Sequence, residues 1–517
     1  MDRYFRIVYF LLTVLLLGSC AQLGTIEGGP KDEFPPRPIE NGINPQNGSV
    51  NFSSKRIEIE FDEYVKLNNP IENISILPTG IKIDSKLEKR KLILDLEGEF
   101  LPNTTYKITF NDAIKDLNEG NDSLMQYVFS TGNFIDSLSY SGKVADAYSG
   151  ELQKQMLVAL YNETDSIQQV KPLYFSKTSS AGDFQLDYLK AGKYAVYVFD
   201  DLNKDLKWQV TEKVGFRKDI LVLDSNLYDS VALQVFAAKL PAKITSKSFV
   251  YPNQIKIAAN TNLENIDWLY QDSLIDNKSI HFFTTDSITF CLNQEIKEDF
   301  FITSKGVFDT LFFRINSKEK QVKYEFIPAS KDISEKQKIS YIFSSPISLI
   351  DTDLFQVQTL DSISVIPRIE YQGNKVEISF PEKLNASINL KINPKAITFR
   401  NQATNDSIKN TFTIRSEKEF GTIIFNKLNL PENAYIEFVK ANKMVKQISL
   451  SELKKSSTVT YIEPGEYSFR VILDENLNEK WDGGDVLTKK SAEKVLYFPE
   501  KIKVRANWET EVELELK

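Results

Sequence analysis

A chain of 517 residues is too long for a single hydrophobic core, and at roughly 100–200 residues per domain it implies three to five. Hydrophobic residues at 42% and charged residues at 26% describe a globular protein, and a net charge of −8 excludes the basic face that nucleic acid requires. His281 is the one histidine, which removes histidine-based metal clusters and Ser-His-Asp chemistry; with no Gly-rich nucleotide loop either, an enzyme is not expected.

The chain opens on a secretory signal. Arg3 and Arg6 supply its positive end, and residues 7–17 are apolar apart from Thr13, a run too short to span a bilayer comfortably. It ends in Leu17-Gly18-Ser19-Cys20, which resembles the lipobox of bacterial lipoproteins. The resemblance implies that residues 1–19 are removed and that Cys20 is acylated. Several acyl chains, at roughly 0.8 kcal/mol per buried methylene, make a durable anchor where one chain would not. An ordinary secretory signal ending in a chance cysteine is the alternative. Ala21 stands where some bacteria place the Asp that retains lipoproteins in the inner membrane, which points to the outer membrane. Ala21-Gln22-Leu23-Gly24-Thr25 lacks the acidic cluster that resembles a surface-export signal, which favours the periplasmic face over the cell surface. Residues 20–38, with Gly28-Gly29-Pro30 and Pro35-Pro36-Arg37-Pro38, cannot bury a core and read as a tether.

From residue 39 the pattern alternates as strands do. Ile57, Ile59 and Phe61 share one face with charges opposite, and residues 92–96 and 106–110 behave alike. Asn44-Pro45-Gln46-Asn47-Gly48, Phe61-Asp62-Glu63, Leu101-Pro102-Asn103-Thr104-Thr105-Tyr106, Ala113-Ile114-Lys115-Asp116 and Phe129-Ser130-Thr131-Gly132 together resemble the bacterial Ig-like domain of the SbsA type. The resemblance implies a β-sandwich over 39–133 with no catalytic residues. In 138–238, Asp183-Phe184-Gln185-Leu186 followed by Ala191-Gly192-Lys193-Tyr194 is similar to the transthyretin-like, carboxypeptidase-regulatory or Cna-B type of sandwich, a spacer or docking module.

The second half repeats the first. Gly192, Tyr194, Asp201, Asn203 and Trp208 recur at one constant offset as Gly465, Tyr467, Asp474, Asn476 and Trp481. Residues 57–61 correspond to 339–343, and Ala113-Ile114 to Ala396-Ile397. These matches predict an Ig-like sandwich over 326–416 and a transthyretin-like one over 417–517, with a divergent sandwich over 240–325. The fold class is therefore all-β: tandem β-sandwiches behind a lipoprotein signal, arranged as a rod. Cys291 lies in the apolar run 288–292 and is expected to be buried in a strand.

One repeated motif has the chemistry of a site. Asp201, Asn203, Asp205 and Glu212 occupy positions 1, 3, 5 and 12 of a Ca²⁺ loop, as do Asp474, Asn476, Asn478 and Asp485. Against Ca²⁺, Leu206 and Glu479 stand where the loop needs Gly. The alternative is an Asx-rich turn with the Trp packed beneath it, which needs no ion; no other cofactor is expected. A second pattern, Asp-Ser or Asp-Thr before an aliphatic residue, marks Ser123, Ser137, Ser166, Ser230, Ser273, Ser287, Thr310, Ser362 and Ser407. It is similar to the O-glycosylation sequon of exported proteins in the Bacteroidota lineage; the alternative is a turn residue opening a strand. The function expected is a non-catalytic outer-membrane lipoprotein, a scaffold or accessory subunit in outer-membrane protein assembly or export. Its partners are the membrane, through Cys20, and envelope or outer-membrane proteins, not nucleic acid. The alternative is a surface protein binding glycan or matrix, with exposed aromatics near Trp208, Trp481 or Trp508.

Overall fold

The computed structural model describes residues 34–118, 120, 125–264, 266–284, 286–315, 323–327, 331–334, 336–380 and 387–515. The chain is 52% strand and 4% helix. Its buried side chains gather into five bodies in chain order; four have two main sheets facing one another across a core, and the second is a single nine-stranded sheet folded around its core.

In the first body a sheet ordered Pro38–Asn44, Arg56–Phe61, Lys91–Glu97, Lys82–Glu88 packs on one ordered Ile74–Leu77, Thr105–Phe110, Met125–Ser130. Period-two alternation decides the faces: Ile57, Ile59 and Phe61 are fully buried while Arg56 and Glu58 are not. Each such side chain contributes roughly 1.5–3 kcal/mol of burial. The Leu101–Thr105 corner is built from its own residues. Asn103 takes a left-handed φ of 48°, Thr104 Oγ1 donates to Pro102 O at 2.9 Å, and the Leu101 N–H donates to Tyr106 Oη at 2.8 Å.

The fourth body repeats this strand order and adds one strand at each edge of its second sheet. Its sheets run Tyr324–Ile327, Ile339–Phe343, Lys375–Ser379, Arg368–Gln372 and, centrally, Phe355–Thr359, Ile388–Ile392, Ile408–Arg415. A small pairing of Val65–Leu67 with Ile114–Asp116 in the first body recurs as Ile347–Ile350 with Ile397–Phe399. The third body has the same order again, with Ile244–Val250, Gln254–Ala259, Ser287–Cys291, Ile280–Thr284 facing Trp268–Tyr270, Phe300–Ser304, Leu311–Phe313. It is a third copy of the Ig-like arrangement. Cys291 is 2% exposed there, and burial pushes its thiol up to about 12.

The second and fifth bodies share another topology, in which the first strand pairs in parallel with the last. Leu138–Asp146 does so with Leu233–Ala237, and Gly421–Asn429 with Glu509–Glu515. All five residues of Leu157–Tyr161 are buried because this sheet is covered on both faces. The short helix Leu450–Lys455 starts at a capping box between Ser449 and Glu452 and seats Leu450 and Leu453 in the interior.

The five bodies do not form the rod expected from tandem modules. The first rests on the second through Leu77, which enters the second body's core, and through the Lys204–Glu72 ion pair at 2.8 Å. The third joins the fourth through Gln254, and Arg415 ties the fourth to Glu463 of the fifth at 2.6 Å. The fifth then returns to the second, so bodies two to five close on themselves.

Candidate functional site

The paired Asp/Asn loops follow the strands Gly192–Phe199 and Gly465–Leu473 and have one hydrogen-bond scheme. Leu206 N–H donates to Asp201 Oδ1 (3.3 Å), and Glu479 N–H to Asp474 Oδ2 (2.7 Å). Asp205 N–H donates to Asn203 Oδ1, and Asn478 N–H to Asn476 Oδ1. Left-handed φ falls at Lys204 and Leu206 and again at Leu477 and Glu479. Non-Gly residues in that region cost about 1–3 kcal/mol each, and the side-chain caps onto freed amides offset that strain.

Glu212 closes the first loop. Its Oε1 accepts from Leu202 N–H (3.0 Å), its Oε2 from Gln209 N–H (2.9 Å), and its carbonyl from Trp208 Nε1 (3.2 Å). In the second loop those three bonds are made by Glu493, from Glu475 N–H, Asp482 N–H and Trp481 Nε1. The sequence correspondence of Asp485 with Glu212 is thereby corrected. An insertion carrying Gly483, Gly484 and Asp485 shifts the offset, and Asp485 instead caps its own turn through Leu487 N–H and Thr488 N–H. Glu493 was missed because the constant offset breaks there; its signal would have been a carboxylate two residues before the strand Val495–Val504 resumes the repeat.

Burial pushes the Glu212, Glu493 and Asp201 carboxyls up, although backbone amides oppose it. Among the described residues no three Asp, Glu, His or Cys side chains are grouped to hold a metal ion. The oxygens of these loops point at their own backbone, the geometry of the Asx-rich turn with Trp208 buried beneath it at 2% exposure. The expected outcome is that EDTA, or millimolar Ca²⁺ added back, leaves the melting temperature unchanged. A rise of several degrees on adding Ca²⁺ would instead establish an ion site, since saturation at about 100 times Kd contributes about 2.7 kcal/mol.

The insertion also makes the junction between the second and fifth bodies. Val486 enters the cluster containing Trp208 and Phe236, and a Cβ on Gly484 would collide with the Phe236 ring. Beside it, Glu437 and Arg470 face each other across adjacent strands of the fifth body at 3% and 8% exposure, with Glu437 Oε2 3.0 Å from Arg470 Nε. Tyr148 of the second body covers them. Its Oη donates to both Glu437 oxygens (2.8 and 2.9 Å), and the Arg470 guanidinium lies 4.2 Å from its ring centroid. Burial first, then the hydrogen bond to Glu437 and the charge of that carboxylate, push the Tyr148 phenol up to about 12, so it donates at any physiological pH. Tyr497 Oη to Ala147 O (2.9 Å) and Asn442 Nδ2 to Glu151 Oε1 (3.2 Å) complete the contact. At the corresponding sheet position of the second body the pair is Ala159 opposite Tyr197, with no charge.

A cleft of about 980 Å³ lies between the third and fourth bodies. Asn253, Asn293, Gln294 and Glu295 come from one wall, and Tyr324, Phe343, Phe399 and residues 401–408 from the other.

Ser137, Ser166, Ser230, Ser273, Thr310, Ser362 and Ser407 are exposed and Ser287 is half-buried, while Ser123 and Cys20 lie outside the described residues. Ser273 and Ser287 begin strands, and Ser137, Thr310 and Ser407 directly precede them. Exposure is what modification requires, and the placement is what a strand-opening turn requires. Trp208 is buried, Trp481 is half-buried against Tyr148 with ring centroids 5.1 Å apart, and Trp508 is 62% exposed. Of the three tryptophans considered as a glycan platform, one remains open.

These bodies define a class, tandem β-sandwich modules. Within it, residues 36–131 match the family described as Bacterial Ig-like domain. No curated protein matches the chain. Among solved structures, the Bacillus anthracis TIE protein is 10% identical over 95% of this chain and 76% of its own, with a TM-score of 0.15. The Bacteroides ovatus mixed-linkage glucan utilization locus SGBP-B, in complex with a mixed-linkage heptasaccharide, is 10% identical over 71% and 91%, TM-score 0.19. The S-layer protein SbsC is 10% identical over 71% of this chain, which spans 54% of that one, TM-score 0.14. Likenesses at these scores carry no functional argument.

Proposed function

We propose that this protein is a non-catalytic scaffold or accessory subunit of a cell-envelope complex, held at the outer membrane by lipid on Cys20. Outer-membrane protein assembly or export is the process it would serve, with envelope proteins as partners. The observation that supports this reading is how the buried charges are used. The loop carboxylates bind their own backbone, and the Glu437–Arg470 pair joins two bodies of the chain. Neither group converges on a cavity, as reacting carboxylates would.

Two measurements bear on it. Affinity purification after gentle detergent extraction is expected to recover stoichiometric envelope proteins; a chain recovered alone would count against the scaffold. Growth with an alkyne analogue of palmitate is expected to label the wild type and leave Cys20→Ala unlabelled, and an unlabelled wild type would remove the anchor.

A further inference from the structure

We propose that the cleft between the third and fourth bodies binds a neutral oligosaccharide; the inference does not depend on the scaffold reading. Its two walls are held at fixed separation. Gln254, wholly buried, donates from Nε2 to Ser344 O at 3.1 Å and accepts at Oε1 from Ser345 Oγ at 2.6 Å, and Arg400 Nη1 donates to Lys278 O at 3.1 Å. A volume of about 980 Å³ lies at the top of the usual range for ligand sites, roughly 300–1,000 Å³, and admits several sugar rings.

The lining has the chemistry a saccharide needs. Phe343 and Phe399 are buried in the core, and Tyr324 packs over them with its ring centroid 5.9 Å from that of Phe343, so Tyr324 supplies the accessible ring of this wall. Tyr324, 41% exposed, offers its ring at the mouth, where the C–H face of a sugar would stack. Tyr251 stands on the opposite wall with its hydroxyl on the Glu295 carboxylate. Asn293, Gln294 and Gln402 are exposed amides, each able to donate and accept toward a vicinal diol. Among the described lining residues the charges are Lys323, Glu295 and Asp406, with no excess of positive charge to attract an anion.

Asn253, 7% exposed, also lines the cleft, its amide held by the bond from Nδ2 to Leu292 O at 2.7 Å.

The test is calorimetry on the full chain after signal removal, with cello-, laminari-, malto-, manno- and chitohexaose as probes. Binding of at least one is expected, weakened about tenfold or more in Tyr324→Ala and measurably in Gln294→Ala; both positions are exposed, so the fold is retained. No binding by any of the five would overturn the proposal. So would binding unchanged in both variants, or binding of extended decapeptides at this cleft with no saccharide bound.

Discussion

Glu437→Ala is expected to destabilise the junction of the second and fifth bodies by about 3–5 kcal/mol, the usual cost of removing one member of a buried ion pair. Arg470, 8% exposed, would keep its charge with no carboxylate beside it, and Tyr148 Oη would lose both acceptors at once. The loss comes from stranded partners rather than from the worth of the pair. A triple replacement, Glu437→Leu, Arg470→Met and Tyr148→Phe, which strands no polar atom, is therefore expected to lie near the wild type or above it, because an apolar set of similar volume carries no desolvation penalty. The second body already has such a pair at the corresponding position, Ala159 opposite Tyr197. Urea denaturation followed by the fluorescence of Trp481, 5.1 Å from Tyr148, reports on this junction. A Glu437→Ala transition overlaying the wild type would show that the two bodies are not docked in solution.

Trp208→Ala is expected to cost about 3–5 kcal/mol in the second body, the range for an aromatic-to-alanine change in a core. The ring is 2% exposed and packs with Tyr161, Phe199 and Val486, and its Nε1 also holds the Glu212 carbonyl. Two controls set the scale. Trp481→Ala, at the corresponding but half-buried position, is expected to cost less, and Trp508→Ala, 62% exposed, to stay within about 0.5 kcal/mol. Thermal unfolding monitored by calorimetry checks all three, since separate bodies give separable transitions. Equal effects at Trp208 and Trp508 would contradict the packing described.

Much of this was legible in the sequence because its causes are local. Alternation assigned the buried face of residues 57–61, and the spacing of Asp201, Asn203 and Trp208 announced a second copy of that stretch, with Gly465 in the place of Gly192. The turn at 101–105 carries its own caps. What stayed hidden depends on events elsewhere in the chain. Glu493 takes the role of Glu212 only after an insertion that breaks the offset, and the Ig-like order of the third body survives in strand pairing after its motifs have diverged. The return of the fifth body onto the second had no motif at all. Its one trace was two charges, Glu437 and Arg470, each standing in an otherwise apolar strand core, where a sandwich facing water would not bury them.

The second and fifth bodies hold each other, making a closed frame out of modules that would otherwise string out. Nitroxide labels on Glu151→Cys and Asn442→Cys, which flank that junction from opposite bodies, test it by pulsed electron spin resonance. Cys291 is buried and does not compete for label. A single narrow, short distance is expected, broadening in Glu437→Ala. A broad distribution reaching long distances in the otherwise unaltered chain would contradict the closed arrangement.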